Sequence, residues 1–508
     1  MSQHNFSSMK PGASLLRLSV MAVALALALP VWAEPAAPVT SPEAKAVQFS
    51  DNVFASDPAY EDKPYSEEAQ LNIYGGKSVV PTPRPLLELG RPIYSSGPLQ
   101  HSSTALGEKN PVDHSLSIYG DLRTAFARNI NGANRTSVLA TRLNLDVDYR
   151  FTGTERIHAF FRPLDKNGNF TRCEFNSPTH CKGEFDLTAD ALFFEGDLAA
   201  LMSGFTGKDQ TFDLAFAAGK MPLLFQNGLW FEDVLTGVAA TLPAKNSKAL
   251  DISNMDITFF AGTDVTSGAV RDRNNVLLKK EADLYGLTAF VEANEGYWEL
   301  GYAYTDARKV SSNLNYHNLA VAFTRRYGGW LSNTVRVIHN TGQNPGNGVA
   351  KTADGTLIVV ENSFVTRLPS TLVPYLNVFY GDGKPQSAAR AADAGGILKN
   401  VGINFETDGL TGFPKLTDAV DNMWGGAFGV EYLFGLNRQL VVELATTQRH
   451  SNSSLPGREV ALGARYQFPL DKAWIFRADA IVADRAGNQN GVPVRDLAGI
   501  RFEIRRKF

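Results

Sequence analysis

The sequence predicts an all-β protein: a transmembrane, antiparallel up-and-down β-barrel of about eighteen strands, preceded by an extended N-terminal segment. Three observations predict it. The chain ends in a strand of strict two-residue period, and segments of roughly ten residues with the same alternation recur from residue 115 onward. The connections between these segments alternate between tight turns and long polar loops, as an up-and-down barrel requires.

The ending, DLAGIRFEIRRKF, sets Ala498, Ile500, Phe502, Ile504 and Phe508 on one face and Gly499, Arg501, Glu503 and Arg505 on the other. Such a strand with a terminal Phe resembles the closing strand of bacterial outer-membrane barrels. In that family the insertion machinery recognises this strand, so the resemblance implies that machinery, through Phe508, and outer-membrane lipid with lipopolysaccharide as partners. Arg506 stands where the family has an aromatic or apolar residue; at the rim its side chain can snorkel to headgroups.

At 508 residues, the chain has room for one large closed barrel. Its hydrophobic fraction of 44% is that of a soluble protein, because only alternate barrel residues face lipid. A net charge of -3 and the lack of a basic run with interleaved aromatics exclude a nucleic-acid partner. Lys10 and Arg17 precede an apolar run over residues 20–29, and Ala33 follows at a cleavage position, so residues 1–33 read as a signal peptide. Residues 34–112 carry eleven prolines and hold no period, the pattern of an extended periplasmic segment or linker. Its more apolar piece, residues 71–94, is expected to dock into the barrel mouth or onto a periplasmic partner. Residues 113–508 are the barrel.

The first barrel strand turns Leu116, Ile118, Leu122 and Phe126 one way and Tyr119, Asp121 and Arg123 the other. In the second, Leu139, Thr141, Leu143, Leu145, Val147, Tyr149 and Phe151 oppose Arg142, Asn144, Asp146, Asp148 and Arg150, too many charges for the face of a soluble sandwich strand. Sixteen further segments follow: 157–163, 185–195, 212–220, 235–242, 255–261, 284–292, 298–306, 316–325, 331–339, 357–367, 372–380, 426–434, 439–449, 460–468, 474–484 and the last strand. Long connections fall at 165–184, 341–355 and 381–424. With both termini periplasmic, every long loop lies outside and every tight turn inside.

The predicted lumen face carries Arg123, Arg142, Arg336, Arg465, Arg477, Arg501 and Arg505 with Asp146, Asp148 and Glu503 among its acids. The full set of charges roughly cancels, so no ion selectivity is expected from it. Cys173 and Cys181, the sole cysteines, form a close pair in an exported chain and are expected to be a disulfide in an outer loop. With His180 they lack a fourth ligand for zinc, and the loop of Asp165, Asn167 and Asn169 has its Gly and twelfth residue wrong for Ca²⁺. No metal or cofactor is expected.

Residues 219–237, GKMPLLFQNGLWFEDVLTG, turn at Asn227-Gly228 and mix aromatics with Glu232 and Asp233. That composition is too apolar for a solvated loop and too charged for a lipid face, so the loop is expected to fold inward, its two acids adding negative charge at the narrowest point. This segment, with the strand number, resembles alginate-export barrels and substrate-specific porins. The resemblance implies that Lys220, Trp230 and Asp233 lie near the constriction, and it implies a channel for small or oligomeric hydrophilic solutes. Two other readings remain: a non-conducting sheath that holds a periplasmic or secreted partner, and an outer-membrane hydrolase. No HExxH, GxSxG or P-loop supports an enzyme.

Overall fold

The computed structural model describes residues 83–91 and 109–508, apart from 167, 177, 268, 271–280, 347–349, 369–370, 392–393, 407–408, 435–437, 452 and 490–491. The proposed signal peptide therefore lies outside the described residues. Eighteen strands form the wall. They are β1 (Val112–Asn131), β2 (Asn134–Thr152), β3 (Arg156–Phe161), β4 (Ala191–Asp197), β5 (Ala215–Phe225) and β6 (Phe231–Ser247). Next come β7 (Ile252–Val265), β8 (Ala282–Ala293), β9 (Gly296–Asp306), β10 (Tyr316–Tyr327), β11 (Leu331–Thr341) and β12 (Asp354–Phe364). The last six are β13 (Leu372–Lys384), β14 (Met423–Phe434), β15 (Arg438–Arg449), β16 (Arg458–Pro469), β17 (Trp474–Ala486) and β18 (Leu497–Lys507). Each pairs antiparallel with its neighbours in sequence, and β18 returns to pair with β1 from Asp121↔Lys507 to Asn131↔Leu497, closing the ring.

Burial along the strands is inverted relative to a soluble protein. In β10, Leu319 (45% exposed) and Val321 (41%) alternate with Asn318 (0%), Ala320 (1%) and Ala322 (0%). Around the wall the pattern repeats: Leu444, Leu462 and Ile504 point out, while Glu443, Arg336, Arg501, Glu503 and Asp479 are buried inside. Only a lipid exterior makes this arrangement favourable, since exposed Leu rows in water would be an aggregation surface and the charges need a polar interior. At the tight-turn rim the outward face turns aromatic, with Tyr432 against Phe434 at 4.6 Å, Tyr466 against Phe468 at 5.3 Å, and Arg506 over the Trp474 ring at 5.6 Å. This is the girdle expected at a membrane interface, and it accounts for the out-of-pattern Arg506.

The structure corrects the connections in three places. On the long-loop rim, β1 and β2 join through a two-residue turn at Gly132-Ala133, since Asn131 already pairs with Asn134. On the tight-turn rim, the connection between β4 and β5 holds a nine-residue helix, α1 (Leu198–Thr206), capped by the Asp197 side chain on the Ala200 N–H at 2.8 Å and ended by Gly207 at φ 68°. Third, the N-terminal segment contributes a strand: Leu87–Gly90 pairs with Ser115–Ile118 of β1, along the edge that continues past the chain terminus, where Phe508 and Gly120 exchange backbone hydrogen bonds of 2.8 and 3.0 Å.

Candidate functional site

Two strands leave the wall together. β4 holds β5 only as far as Leu192↔Lys220, and β7 holds β6 only from Thr236↔Thr263. Beyond those points β5 and β6 stay paired with each other, up to Phe225↔Phe231, apart from the wall strands. Its tip turns through three successive left-handed residues, Gln226 (φ 54°), Asn227 (φ 54°) and Gly228 (φ 72°). Gly is required at the third of these, because a Cβ there would also lie 2.8 Å from a Glu232 carboxylate oxygen.

Freed from the wall, the hairpin packs its apolar face onto the inner surface of β7 to β11. Met221, Phe231 and Leu235 are buried with Trp230, whose ring lies 6.2 Å from that of Phe260 and whose Nε1–H donates to Asn318 Oδ1 at 2.8 Å. Gly301 on β9 supplies the notch, since a Cβ on it would meet the indole at 2.7 Å. Gln226 reaches β11, accepting from an Arg336 N–H at 2.8 Å. Residues 226–233 thus lie against the inner surface of β7 to β11.

A second segment covers the hairpin. The connection between β13 and β14, residues 385–422, sets Ala389–Arg390 parallel to Phe231 and Glu232. Arg390 donates to Glu232 at 2.9 Å and to the Gly228 carbonyl at 2.7 Å, and Lys399 reaches the other Glu232 oxygen at 3.0 Å. The segment then crosses the lumen. Buried Glu443 of β15 accepts from the backbone N–H groups of Ile403 and Asn404, both at 2.9 Å, and from Tyr375 at 2.6 Å. Glu406 pairs with Arg465 at 2.7 Å, and the Thr411 carbonyl accepts from Asn129 of β1 at 2.8 Å. Phe405, Leu398, Val401 and Leu416 join Trp230, Phe231 and Phe379 in one buried cluster, so the long-loop half of the lumen has an apolar core of its own. Sequence reading missed this core, because the segment SAARAADAGGILKN has no period and its partners lie far away in the chain.

These contacts change what the acids do. Glu232 was expected to add negative charge at the narrowest point, but it faces two cations, Arg390 and Lys399. Asp233 points the other way and accepts from the Thr266 backbone N–H at 2.7 Å, an anchor for the next loop. Lys220 sits opposite Leu192 and Thr236 on the outward-facing register and donates to the Ala189 carbonyl, so its ammonium is turned from the lumen. Trp230 is at the constriction but faces the wall.

Below this plug the lumen is polar, and its charges stand in ion pairs and clusters. On β16 to β18, Arg465, Arg477 and Arg501 converge on Asp479 at 2.8, 2.8 and 2.9 Å. Arg123 holds Glu503 at 2.7 Å, Arg505 holds Asp121 through two bonds of 2.9 Å, and Arg142 holds Asp165 at 3.0 Å. Asp148 accepts from Tyr119 at 2.6 Å and lies 3.0 Å from His158, whose other nitrogen is 3.3 Å from Asp146. Further round the wall, β8 to β15 present Glu292, Glu299, Glu361, Glu431 and Glu443, with Arg336 between Glu299 and Glu361 at 3.4 Å to each.

Cys173 and Cys181 form a disulfide. It joins Asn169–Glu174 to His180–Lys182 in a hairpin that pairs Thr171↔Thr141 through Glu174↔Val138, so it continues the wall beside β2 above the short β3.

No protein-family model and no curated protein matches the sequence. Among solved structures, the chain is similar to the Pseudomonas aeruginosa outer membrane protein OpdK, at 13% identity over 77% of this chain and 98% of that one, with a TM-score of 0.49. It is similar to OccK5 (OpdH) of the same organism at 14% identity over 77% and 98%, with a TM-score of 0.47. OccD3 (OpdP), also from that organism, gives 12% identity over 81% and 95%, with a TM-score of 0.47.

Proposed function

We propose that this chain is an outer-membrane channel for small hydrophilic solutes, non-enzymatic, with its long loops outside the cell and its tight turns in the periplasm. The observation that carries the reading is the inverted wall: a closed ring with an apolar exterior and a lumen of buried, paired charges. Nothing but a solute path or a bound partner gives a barrel reason to keep so many ionised groups inside. Water fills the polar half, and the ion pairs of the wall replace hydration around a passing solute. Each fixed charge counts most beside the low-dielectric wall. The hairpin and the 385–422 segment set the size limit.

Lipid and lipopolysaccharide meet the outward belt, and the insertion machinery would engage the strand ending at Phe508. The apolar core in the outer half of the lumen favours one second reading, a barrel that grips a periplasmic partner and passes nothing. A planar-bilayer recording on the refolded mature chain decides between them. Stepwise conductance in potassium chloride supports the channel, and a silent barrel of intact fold overturns it.

A further inference from the structure

At the outer mouth a cavity of about 390 Å³ opens between the β1–β2 turn, the tops of β17 and β18, and the infolded segment. Lys415 and Arg485 stand at its edge, and Phe413 with Pro414 lines its inner side. Deeper along the same strands, a second space of about 10 Å³ is bounded by Arg465, Asp479, Arg501 and Ile481, and again by Phe413. The first holds a small solute with its water; the second has room for about one water molecule. Phe413 is common to both, so the ring separates a roomy vestibule from the arginine cluster.

The ring is seated for that role. It lies 5.3 Å from the Arg501 guanidinium carbon, and it rests with Pro414 on Gly499 of β18, where a Cβ would meet Pro414 at 2.7 Å and Phe413 at 3.0 Å. Arg501 is buried and the ring packs beside the apolar cluster, so the contact keeps the ring closed and its opening is a minority state. Gly412, at φ 65°, precedes it in a left-handed conformation that gives the backbone room to follow.

We propose that Phe413 is the size-selecting door of this channel, closing the outer vestibule off from the arginines of β16 to β18. The inference rests on the channel reading. The test compares wild type with Phe413→Ala and the milder Phe413→Leu by single-channel recording in potassium chloride. Removing the ring is expected to raise conductance by about twofold or more, with Leu between, as widening a single constriction does. In parallel, Ile481→Cys is placed behind the door, and its reaction with a methanethiosulfonate reagent is timed with and without Phe413→Ala. Loss of the ring is expected to speed that reaction by about tenfold, as relief of an access-limited site would. Conductance in wild type that neither substitution changes overturns the door and leaves the channel standing. Silence in every variant overturns the channel and the door with it; equal reaction rates in a conducting barrel overturn the door alone.

Discussion

Glu232 shows how a charge seen in sequence changes meaning once its neighbours are placed. Two cations, Arg390 at 2.9 Å and Lys399 at 3.0 Å, share this one carboxylate. Glu232→Gln therefore leaves an uncompensated positive pair in the constriction. The reversal potential in a potassium chloride gradient is expected to shift toward anions, whereas an unchanged potential would place all three groups off the solute path. A second residue of this kind is Gly301, whose missing side chain makes the seat for Trp230. Gly301→Ala forces the indole off β9 at a cost of about 1–3 kcal/mol, the usual range for overpacking. Loosening of the hairpin should appear as an altered tryptophan emission and a noisier conductance, and an unchanged spectrum would show that the wall yields instead. Neither role could be read from the chain, because Arg390 lies 158 positions from Glu232 and Gly301 carries no signal of its own.

The strands are the scale at which sequence was most informative. Every segment with apolar and polar residues in alternation became a strand, and the two faces fell as expected, because lipid on one side and water on the other leave a period of two no alternative. On β2, Leu145→Arg, outward near mid-membrane, is expected to cost about 2–4 kcal/mol, and Asn144→Arg, facing the lumen beside Asp121, very little. Equal losses on folding into lipid vesicles would reject the faces. The ends of the strands were less legible. β7 runs Ile252–Val265 where alternation alone suggested 255–261, since beyond the lipid belt both faces meet water and the pattern fades. The disulfide hairpin beside β2 and helix α1 were likewise hidden, one by its polar composition and the other by its place on a rim expected to hold only tight turns.

The whole molecule is a ring whose ends meet late. Arg505 reaches Asp121 across 384 positions, and closing a loop of that length costs about 5 kcal/mol of chain entropy before any bond of the seam repays it. Leu87–Gly90 reaches Ser115–Ile118 over a far shorter loop, so it can dock while β18 is still away. Sequence reading put residues 71–94 in the barrel mouth or on a partner; of these the structure describes 83–91 and lays Leu87–Gly90 on the rim, with Leu87 and Leu89 in register with outward Ile118 and Leu116. Its consequence concerns solubility during manufacture rather than passage. Over Ser115–Ile118 the β1 edge is paired by Leu87–Gly90, so without them that backbone would be bare even in the finished ring, a template for any other extended chain. A mature chain lacking residues 83–91 is expected to refold to a barrel that associates as its concentration rises, while the complete chain stays dispersed under the same conditions. Identical size distributions for the two would show that the edge is harmless bare. Otherwise Leu87–Gly90 acts as a chaperone built into the chain, guarding the edge of β1.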